Sequence, residues 1–266
     1  MLTPVVLFLV VLGLLAGTFG ALVGLGGGVI IVPVLSLLLG LPIKTAVGIS
    51  LVCVIATSSG AAAVYVQRHW TDLRLGMVLE LATALGAITG ALVVTFLPDN
   101  FLQGMFGAFL LYAAVALLRR QEGEMVEVTG EPPDYRARNH PLGLGVSYVA
   151  GSVSGMLGIG GGPIKVPLMH LFMGVPLKVA AATSNFMMGV TAAASAFLYY
   201  TRGDVIVAVA APLAVGVFAG ALLGSHLTRR IHRRWIRGLL TLVLFYLAAL
   251  MLSEAFGFTI PGRRGS

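Results

Sequence analysis

Long apolar runs separated by short polar loops extend along most of the chain. No hydrophilic stretch between them is long enough to fold as a separate soluble domain. The clearest runs have about 20 residues each, the length that an α-helix needs to cross a bilayer, and they lie at 75–97, 101–118, 177–200, 205–227 and 238–258. The pattern therefore predicts an all-α integral membrane protein.

One polar segment interrupts this pattern near the middle of the chain. Residues 120–140 contain acidic residues and adjacent prolines but few apolar residues, which is typical of an exposed connector. We therefore expect three parts: a first membrane repeat at 1–119, a cytoplasmic linker at 120–140 and a second membrane repeat at 141–266.

Two glycine clusters show that the chain is internally duplicated. The stretch "GLGGGVIIVP" occupies 24–33, and "GIGGGPIKVP" occupies 158–167, which is 134 residues later. The match continues without gaps to Arg68 and Arg202. Small gaps then align Asp72 with Asp204, and 86–92 with 216–222. Such self-similarity predicts two copies of one structural unit.

The apolar segment after each cluster is too short to cross a membrane. A helix at 29–39 is about 16 Å long, roughly half of the hydrocarbon core, and Gly40 and Pro42 end it. We therefore expect a re-entrant hairpin, in which one helix enters, the chain breaks at the glycines near mid-membrane, and a half-helix returns. Three full crossings then follow in each repeat.

An odd number of crossings in each repeat predicts that the two repeats have opposite orientations. With the linker inside, most arginines lie in cytoplasmic loops, as the positive-inside rule requires, whereas Lys44 and Arg202 lie outside. The alternative layout makes 5–24 a full crossing and joins 29–66 into one helix. It gives parallel repeats and leaves the arginines of 229–237 outside, so the charges favour the inverted layout.

The glycine clusters form the candidate substrate site. A chain break at mid-membrane depth is tolerated only inside protein or beside a water-filled cavity, and glycines allow close backbone approach. Each break also directs the N-terminus of a short helix at the membrane centre, where its N–H groups favour an anion. Two such ends face each other in inverted repeats. The predicted contributors are Gly26, Gly27, Gly28, Gly160, Gly161 and Gly162. The glycines at 86, 90, 216 and 220 fit helix packing instead.

Polar side chains near the clusters extend this candidate site. An unpaired Lys165 in the membrane costs about 2.5–3.5 kcal/mol on insertion scales; a bound anion offsets that cost, and an internal partner such as Glu80 is the alternative. Hydroxyl and amide groups that begin the spans after the hairpins are candidate donors to an oxyanion, although hydroxyls also bond to their own helix. They are Ser50, Thr183, Ser184 and Asn185.

Two other groups are weaker candidates for chemistry at this depth. Thr57 and Thr191 lie two turns further along the same spans. His170 and Glu80 are candidates for proton coupling; packing of His170 and pairing of Glu80 with Arg74 are the favoured alternatives.

The duplicated GxGGG motif and the "ATS" at 182–184 resemble the TauE/SafE family of sulfite exporters, also called the TSUP family. The resemblance covers nearly the whole chain and is carried by 24–50 and 158–185. It implies transport of a sulfur-containing anion across the bacterial inner membrane, with the glycine clusters, Thr183 and Ser184 at the site. Because the first repeat has Ile49 before Ser50, the two half-sites are expected to be unequal.

These observations predict a secondary transporter that exports sulfite. An anion channel of the same fold and a permease for organosulfonates or other organic anions are the alternatives. The net charge of +7 arises from basic residues in loops, so we expect membrane lipid and a small anion as partners, and no nucleic acid. HExxH, GxSG and GxGD motifs are missing, so we expect no enzyme, catalytic residue, metal or cofactor. Monomer and homodimer both remain open.

Overall fold

The computed structural model describes residues 2–23, 26–119, 135–227 and 233–257, and this part of the chain contains helices and no strand. Most of the predicted linker, and residues 229–232 of the basic segment, lie outside it. The described α-helices are α1 (Leu2–Val23), α2 (Gly28–Pro33), α3 (Ile43–Gln67), α4 (Leu73–Val93), α5 (Asp99–Arg119), α6 (His140–Leu157), α7 (Gly162–Pro167), α8 (Leu177–Thr201), α9 (Val207–Leu227) and α10 (Arg233–Ala255).

Several of these helices are long and apolar enough to cross a membrane, which confirms the prediction of an all-α membrane protein. Within the described residues there are six such segments: Pro4–Ala21, Ile43–Gln67, Leu73–Phe96, Asp99–Leu118, Val207–Gly224 and Gly238–Ala255. The six include α1, whose 22 residues extend about 33 Å. They do not include α8, which the sequence analysis expected to cross.

The helix boundaries repeat with a constant offset of 134 residues. Helices α2, α3 and α4 begin at 28, 43 and 73, and helices α7, α8 and α9 begin at 162, 177 and 207. Gly86 therefore corresponds to Gly220, and Asp72 corresponds to Ile206. The gaps that the sequence comparison introduced after Arg68 are wrong, because the structure keeps the same spacing through the next helix.

Each short helix widens at its proline. After Pro33, α2 continues as a π-helix at Val34–Leu38, and after Pro167, α7 continues as a π-helix at Leu168–Phe172. Proline has no N–H for the usual i−4 hydrogen bond, and a π-helical turn is one way in which a helix absorbs such a defect. The helical run 28–38 matches the predicted 29–39 within one residue.

Equivalent helices have equivalent partners in the two halves. Helix α1 packs along α9, and its counterpart α6 packs along α4. Glycines allow both close approaches: a Cβ atom on Gly17 would lie 2.2 Å from the Val217 carbonyl oxygen, and one on Gly151 would lie 2.0 Å from that of Thr83. The predicted packing role of Gly86, Gly90, Gly216 and Gly220 is confirmed in the same way, since a Cβ atom at each would lie within 2.2 Å of a carbonyl oxygen on the neighbouring helix.

Helices α3 and α8 pack against each other and run in opposite directions. Gly48, near the start of α3, lies against the backbone of Asp204, which follows α8. Conversely, the amide of Asp72, which follows α3, donates to Thr183 Oγ1 near the start of α8 at 3.0 Å. Helices α5 and α10 are likewise a pair of counterparts that pack together. The ends of α3 and α8 thus bring the loops of one half beside those of the other.

Asp72 links α4 to the segment before α6. Its Oδ1 accepts a hydrogen bond from the Leu75 amide at 2.9 Å and so caps the N-terminus of α4. Its Oδ2 accepts a hydrogen bond from the Tyr135 hydroxyl. Burial, together with the hydrogen bond to Asp72 and the charge of its carboxylate, raises the pKa of Tyr135. This contact therefore stabilises the fold below the usual tyrosine pKa of about 10 and is lost as the pH rises further.

Asp72→Ala is expected to lower the free energy of unfolding by about 1–2 kcal/mol, because it removes a helix cap as well as the acceptor for Tyr135. Asp72→Asn is expected to restore most of this loss, since an amide oxygen also caps a helix. Thermal unfolding in detergent measures both variants. Equal stability of wild type and Asp72→Ala would contradict the capping role.

Candidate functional site

The two glycine clusters, defined as 24–28 and 158–162, are in direct contact. Gly24 and Leu25 lie outside the described residues. A Cβ atom on Gly26 would lie 3.3 Å from the Ile159 carbonyl oxygen, and one on Gly28 would lie 2.4 Å from that of Gly158. Val54 of α3 and Met188 of α8 border both clusters. The clusters therefore meet beside the contact between α3 and α8.

The two clusters differ in backbone conformation. Gly160 and Gly161 have φ values of 81° and 75°, and Gly26 has 73°, in a region that favours glycine. Gly27 has a helical φ of −65°. The short helices start at Gly28 and Gly162, next to this contact, and the first N–H groups of a helix have no partner within the helix.

A buried ion pair lies beside the second cluster. Lys165 Nζ is 3.5 Å from Glu80 Oε2, and these side chains are 1% and 7% exposed. Lys165 Nζ also donates to Thr191 Oγ1 at 2.8 Å, and Thr191 Oγ1 donates to Glu80 Oε1 at 2.6 Å. Among the described residues, Glu80 and Lys165 are the only buried charged side chains. We call Glu80, Lys165 and Thr191 the charged triad.

The structure identifies the internal partner of Lys165. The sequence analysis named Glu80 as an alternative to a bound anion, and the two do pair across 85 positions of sequence. The pairing of Glu80 with Arg74 is wrong, since the Glu80 carboxylate contacts Lys165 and Thr191 and Arg74 is exposed. Thr191, which the sequence marked as a weaker candidate, lies between the two charges.

The triad exists in only one half of the molecule. With the offset of 134, Lys165 corresponds to Ile31 and Glu80 corresponds to Ala214, while Thr191 corresponds to another threonine, Thr57. Thr57 Oγ1 donates to the Cys53 carbonyl oxygen at 2.9 Å. Counterpart helices therefore carry a charged pair in one half and apolar side chains at the same positions in the other.

The end of the Lys165 side chain lies beside Gly161 of the second cluster. A Cβ atom on Gly161 would be 3.2 Å from Lys165 Cε and 3.4 Å from Ser154 Cβ. The Ser154 hydroxyl is buried and has no hydrogen-bond partner among the described residues. Sequence analysis missed Ser154. The sequence did offer one signal for it: Ser154 lies four residues before Gly158, on the helix that leads into the cluster.

The predicted hydroxyl and amide donors differ in what they contact. Ser50 is beside the clusters, and its Oγ donates to the Gly158 carbonyl oxygen at 2.8 Å. Ser184, the counterpart of Ser50, is buried without a hydrogen-bond partner in the described part of the chain. Thr183 accepts from the Asp72 amide at the loop. Asn185 Nδ2 donates to Ala181 of its own helix at 3.0 Å.

His170 lies away from the triad. The sequence suggested that it is buried, but the structure places it in an exposed position of the π-helix after α7. Its Nδ1 lies 2.9 Å from the Val175 carbonyl oxygen. Within the described residues, no group of three or more His, Cys, Asp or Glu side chains is arranged to hold a metal ion.

Comparison with known proteins identifies the family to which this arrangement belongs. The family model described as "Sulfite exporter TauE/SafE" matches residues 9–251. The chain belongs to the TauE/SafE family. It is therefore a multi-pass membrane transporter of this family, as its sequence motifs suggested.

Similar proteins of this family carry names of transporters rather than enzymes. A probable membrane transporter protein of Bacillus subtilis, YunE, is 29% identical, with 92% of this chain and 97% of YunE covered. A probable membrane transporter protein of Methanocaldococcus jannaschii is 26% identical over 92% of this chain and 94% of its own length. The Arabidopsis thaliana "Sulfite exporter TauE/SafE family protein 3" is 36% identical over 40% of this chain and 22% of its own length. No solved structure matches the chain.

Proposed function

We propose that this protein is a secondary transporter that exports sulfite, or a closely related sulfur oxyanion, across the bacterial inner membrane. The observation that carries the proposal is Lys165, a buried cation beside a glycine cluster in a chain of the TauE/SafE family. A positive charge in this environment needs a negative partner. Glu80 is that partner in the structure, and in this proposal a small anion takes its place when substrate binds.

We further propose that the two repeats are inverted and that each contains a re-entrant hairpin. Counterpart helices α3 and α8 run in opposite directions, which is what a two-fold axis in the membrane plane produces. Gly20 of α1 packs against Gly26 and Gly27, so the chain reverses direction at the first cluster. The run 28–38 then extends about 16 Å, half the bilayer core.

The anion in this proposal binds where the two clusters meet, beside the Lys165 ammonium. The starts of α2 and α7 contribute backbone N–H groups there, and the glycines allow the two main chains to approach the site closely. Gly26, Gly27 and Gly28 form one wall and Gly160, Gly161 and Gly162 form the other. Ser154 and Ser184, which have no partner among the described residues, supply hydroxyl donors. Ser50, Thr183 and Asn185 support the surrounding helices through the bonds described above.

The test of this proposal is ligand-induced thermal stabilisation of the purified protein. The panel contains sulfite, sulfate, thiosulfate, small sulfonates and chloride at equal ionic strength. A ligand that binds the folded state at about 100 times its Kd adds about 2.7 kcal/mol of stability. Selective stabilisation by sulfite supports the proposal, and selective stabilisation by a sulfonate supports an organosulfonate permease instead. No response to any sulfur oxyanion contradicts the proposal.

Ser154→Ala and Ser184→Ala are expected to weaken sulfite binding about tenfold without lowering the stability of the ligand-free protein. Each hydroxyl is buried without a partner in the described part of the chain, so its removal breaks no internal hydrogen bond, while a hydrogen bond to a charged ligand contributes about 1.5–3 kcal/mol. Ser50→Ala is the matched control. It removes the bond to Gly158 and should lower stability by about 1 kcal/mol. Unchanged sulfite affinity in both Ser154→Ala and Ser184→Ala would contradict their role as donors.

A further inference from the structure

We propose that transport is coupled to protons and that Glu80 carries the proton. Lys165 pairs with Glu80 when the site is empty and with the transported anion when it is loaded. Glu80 binds one proton in the loaded state and releases it with the anion, so one proton moves in the same direction as each singly charged anion. Export then runs down the sulfite gradient, and an imposed pH gradient can drive the same step inward. This inference rests on the proposed function and adds the coupling ion and its carrier.

The geometry of the triad allows Lys165 to exchange the Glu80 carboxylate for an anion. The Lys165 ammonium is 3.5 Å from Glu80 Oε2, which is a long contact for an ion pair, and 2.8 Å from the neutral Thr191 hydroxyl. Its side chain lies along Gly161 at the proposed anion site. An anion that binds there competes with the Glu80 carboxylate for the same ammonium.

Charge balance in a buried site then requires a proton. The empty site holds one positive and one negative charge, Lys165 and Glu80, both buried. A bound monovalent anion brings this site to a net charge of −1, and an uncompensated charge in a low-dielectric interior is strongly unfavourable. Protonation of Glu80 at a carboxylate oxygen restores neutrality while Lys165 remains charged. The proton comes from water on the loading side and returns to water on the release side.

Thr191 can follow this change without moving its backbone. In the empty state its hydroxyl accepts from Lys165 and donates to Glu80 Oε1 at 2.6 Å. The Met187 carbonyl oxygen, 3.1 Å away, is its second acceptor. When Glu80 becomes a carboxylic acid, the Thr191 hydroxyl can donate to the Met187 carbonyl oxygen and accept a hydrogen bond from the Glu80 O–H. The Thr191 hydroxyl therefore has a donor and an acceptor in both states.

The other repeat shows that the fold does not need this ion pair. Ile31 and Ala214 occupy the positions of Lys165 and Glu80 in the first half, where the short helix and its neighbours have the same boundaries. A buried salt bridge is weak evidence for stability, because desolvation offsets most of its attraction. Since apolar residues serve the same structural position, we assign the charged pair to function.

Glu80 is the ionisable group best placed for this role. In the described part of the chain, its carboxylate bonds with Lys165 and Thr191. The remaining ionisable groups on the helices packed around it are exposed or have other contacts: Arg74 on α4, His140 and Tyr148 on α6, Lys178, Tyr199 and Tyr200 on α8, and His170 after α7. His170, the second residue expected to couple protons, is exposed and is not a member of the triad.

The test uses radiolabelled sulfite and purified protein in sealed proteoliposomes, with the membrane voltage clamped at zero. A pH gradient of about one unit, acidic outside, should drive about tenfold accumulation inside when one proton accompanies each anion. Glu80→Gln should abolish the accumulation while slower sulfite exchange persists. Glu80→Asp, which keeps a carboxylate, should recover accumulation. Glu254→Gln, which neutralises an acid on α10 bonded to Gln103, is the matched control and should behave as wild type.

The outcomes separate this inference from the proposed function. No sulfite exchange by the wild type overturns the proposed function. Exchange without pH-driven accumulation, or accumulation that persists in Glu80→Gln, overturns the coupling; the second result means that bisulfite itself carries the proton. If Glu80→Gln does not fold because Lys165 is left unpaired, the double variant E80A/K165I replaces it. This variant copies the pair Ala214 and Ile31, so it should fold. At a sulfite concentration raised to offset the missing ammonium, exchange without pH-driven accumulation supports the coupling, and pH-driven accumulation overturns it.

Discussion

Lys165→Met is expected to lower the affinity for sulfite by about 100-fold or more. Truncating one member of a buried, hydrogen-bonded charge pair typically costs 2–5 kcal/mol of binding, and about 2.7 kcal/mol corresponds to 100-fold. Lys165 is 1% exposed, its Cε lies beside Gly161, and it is the only buried cation among the described residues, so no other described cation can replace it there. Isothermal titration of the purified variant with sulfite measures the loss.

Ile31→Met is the matched control, because Ile31 occupies the same position in the first repeat. Ile31 is fully buried, and a swap of similar volume usually changes stability by less than about 1.5 kcal/mol. Its sulfite affinity should remain close to that of wild type. Lys165→Met should also lose stability, since it leaves the Glu80 carboxylate buried without its cation. Wild-type sulfite affinity in Lys165→Met would contradict the proposed site.

Gly151→Ala is expected to lower the free energy of unfolding by at least about 3 kcal/mol or to prevent folding. A Cβ atom at this position would lie 2.0 Å from the Thr83 carbonyl oxygen, which is backbone of α4 and cannot rotate away. Overpacking in a rigid core typically costs 1–3 kcal/mol and occasionally more, and small residues are what allow membrane helices to approach closely. Thermal unfolding and the yield of monodisperse protein report the effect.

Gly145→Ala on the same helix is the control for this substitution. A Cβ atom on Gly145 would meet nothing within 4 Å, and alanine is a better helix former than glycine by about 1 kcal/mol. Gly17→Ala, at the equivalent contact of α1 with α9, should behave like Gly151→Ala. Stable, well-folded Gly151→Ala protein would show that α4 and α6 do not pack as described.

The local structure was predictable where glycine and proline determine the backbone. The sequence predicted a short helix at 29–39, and the structure has one at 28–38. Gly40 and Pro42 end it at the expected place, because a positive φ and a missing N–H act locally. The packing role of Gly86 and Gly90 was predictable for a related reason, since their spacing places both on one face of α4.

The charged triad could not be predicted with the same certainty, because its members come from three separate segments. Lys165 and Glu80 are 85 residues apart in sequence, and Thr191 lies on a third helix. Sequence periodicity shows which face of a helix is polar but not which neighbour that face meets. For the same reason, the exposure of His170 and the position of Ser154 beside Gly161 became visible only in the assembled bundle.

Sequence comparison between the halves also failed after Arg68. It placed gaps to align two aspartates, although Asp72 caps α4 and Asp204 pairs with Arg202 in the loop before α9. Residue identity was a poor guide there because the two carboxylates serve different local contacts. Helix boundaries preserve the offset of 134, and that offset reveals Ile31 and Ala214 as the apolar counterparts of the ion pair.

Sulfite counterflow in proteoliposomes shows whether the protein is a transporter with a saturable anion site. Proteoliposomes containing the purified protein are loaded with unlabelled sulfite and diluted into a trace of radiolabelled sulfite without any pH gradient. A secondary transporter with a saturable anion site accumulates label inside transiently above the outside concentration. We expect this overshoot for wild type and its loss in Lys165→Met. Equilibration without an overshoot would indicate a channel, and uptake no faster than in protein-free vesicles would contradict sulfite transport altogether.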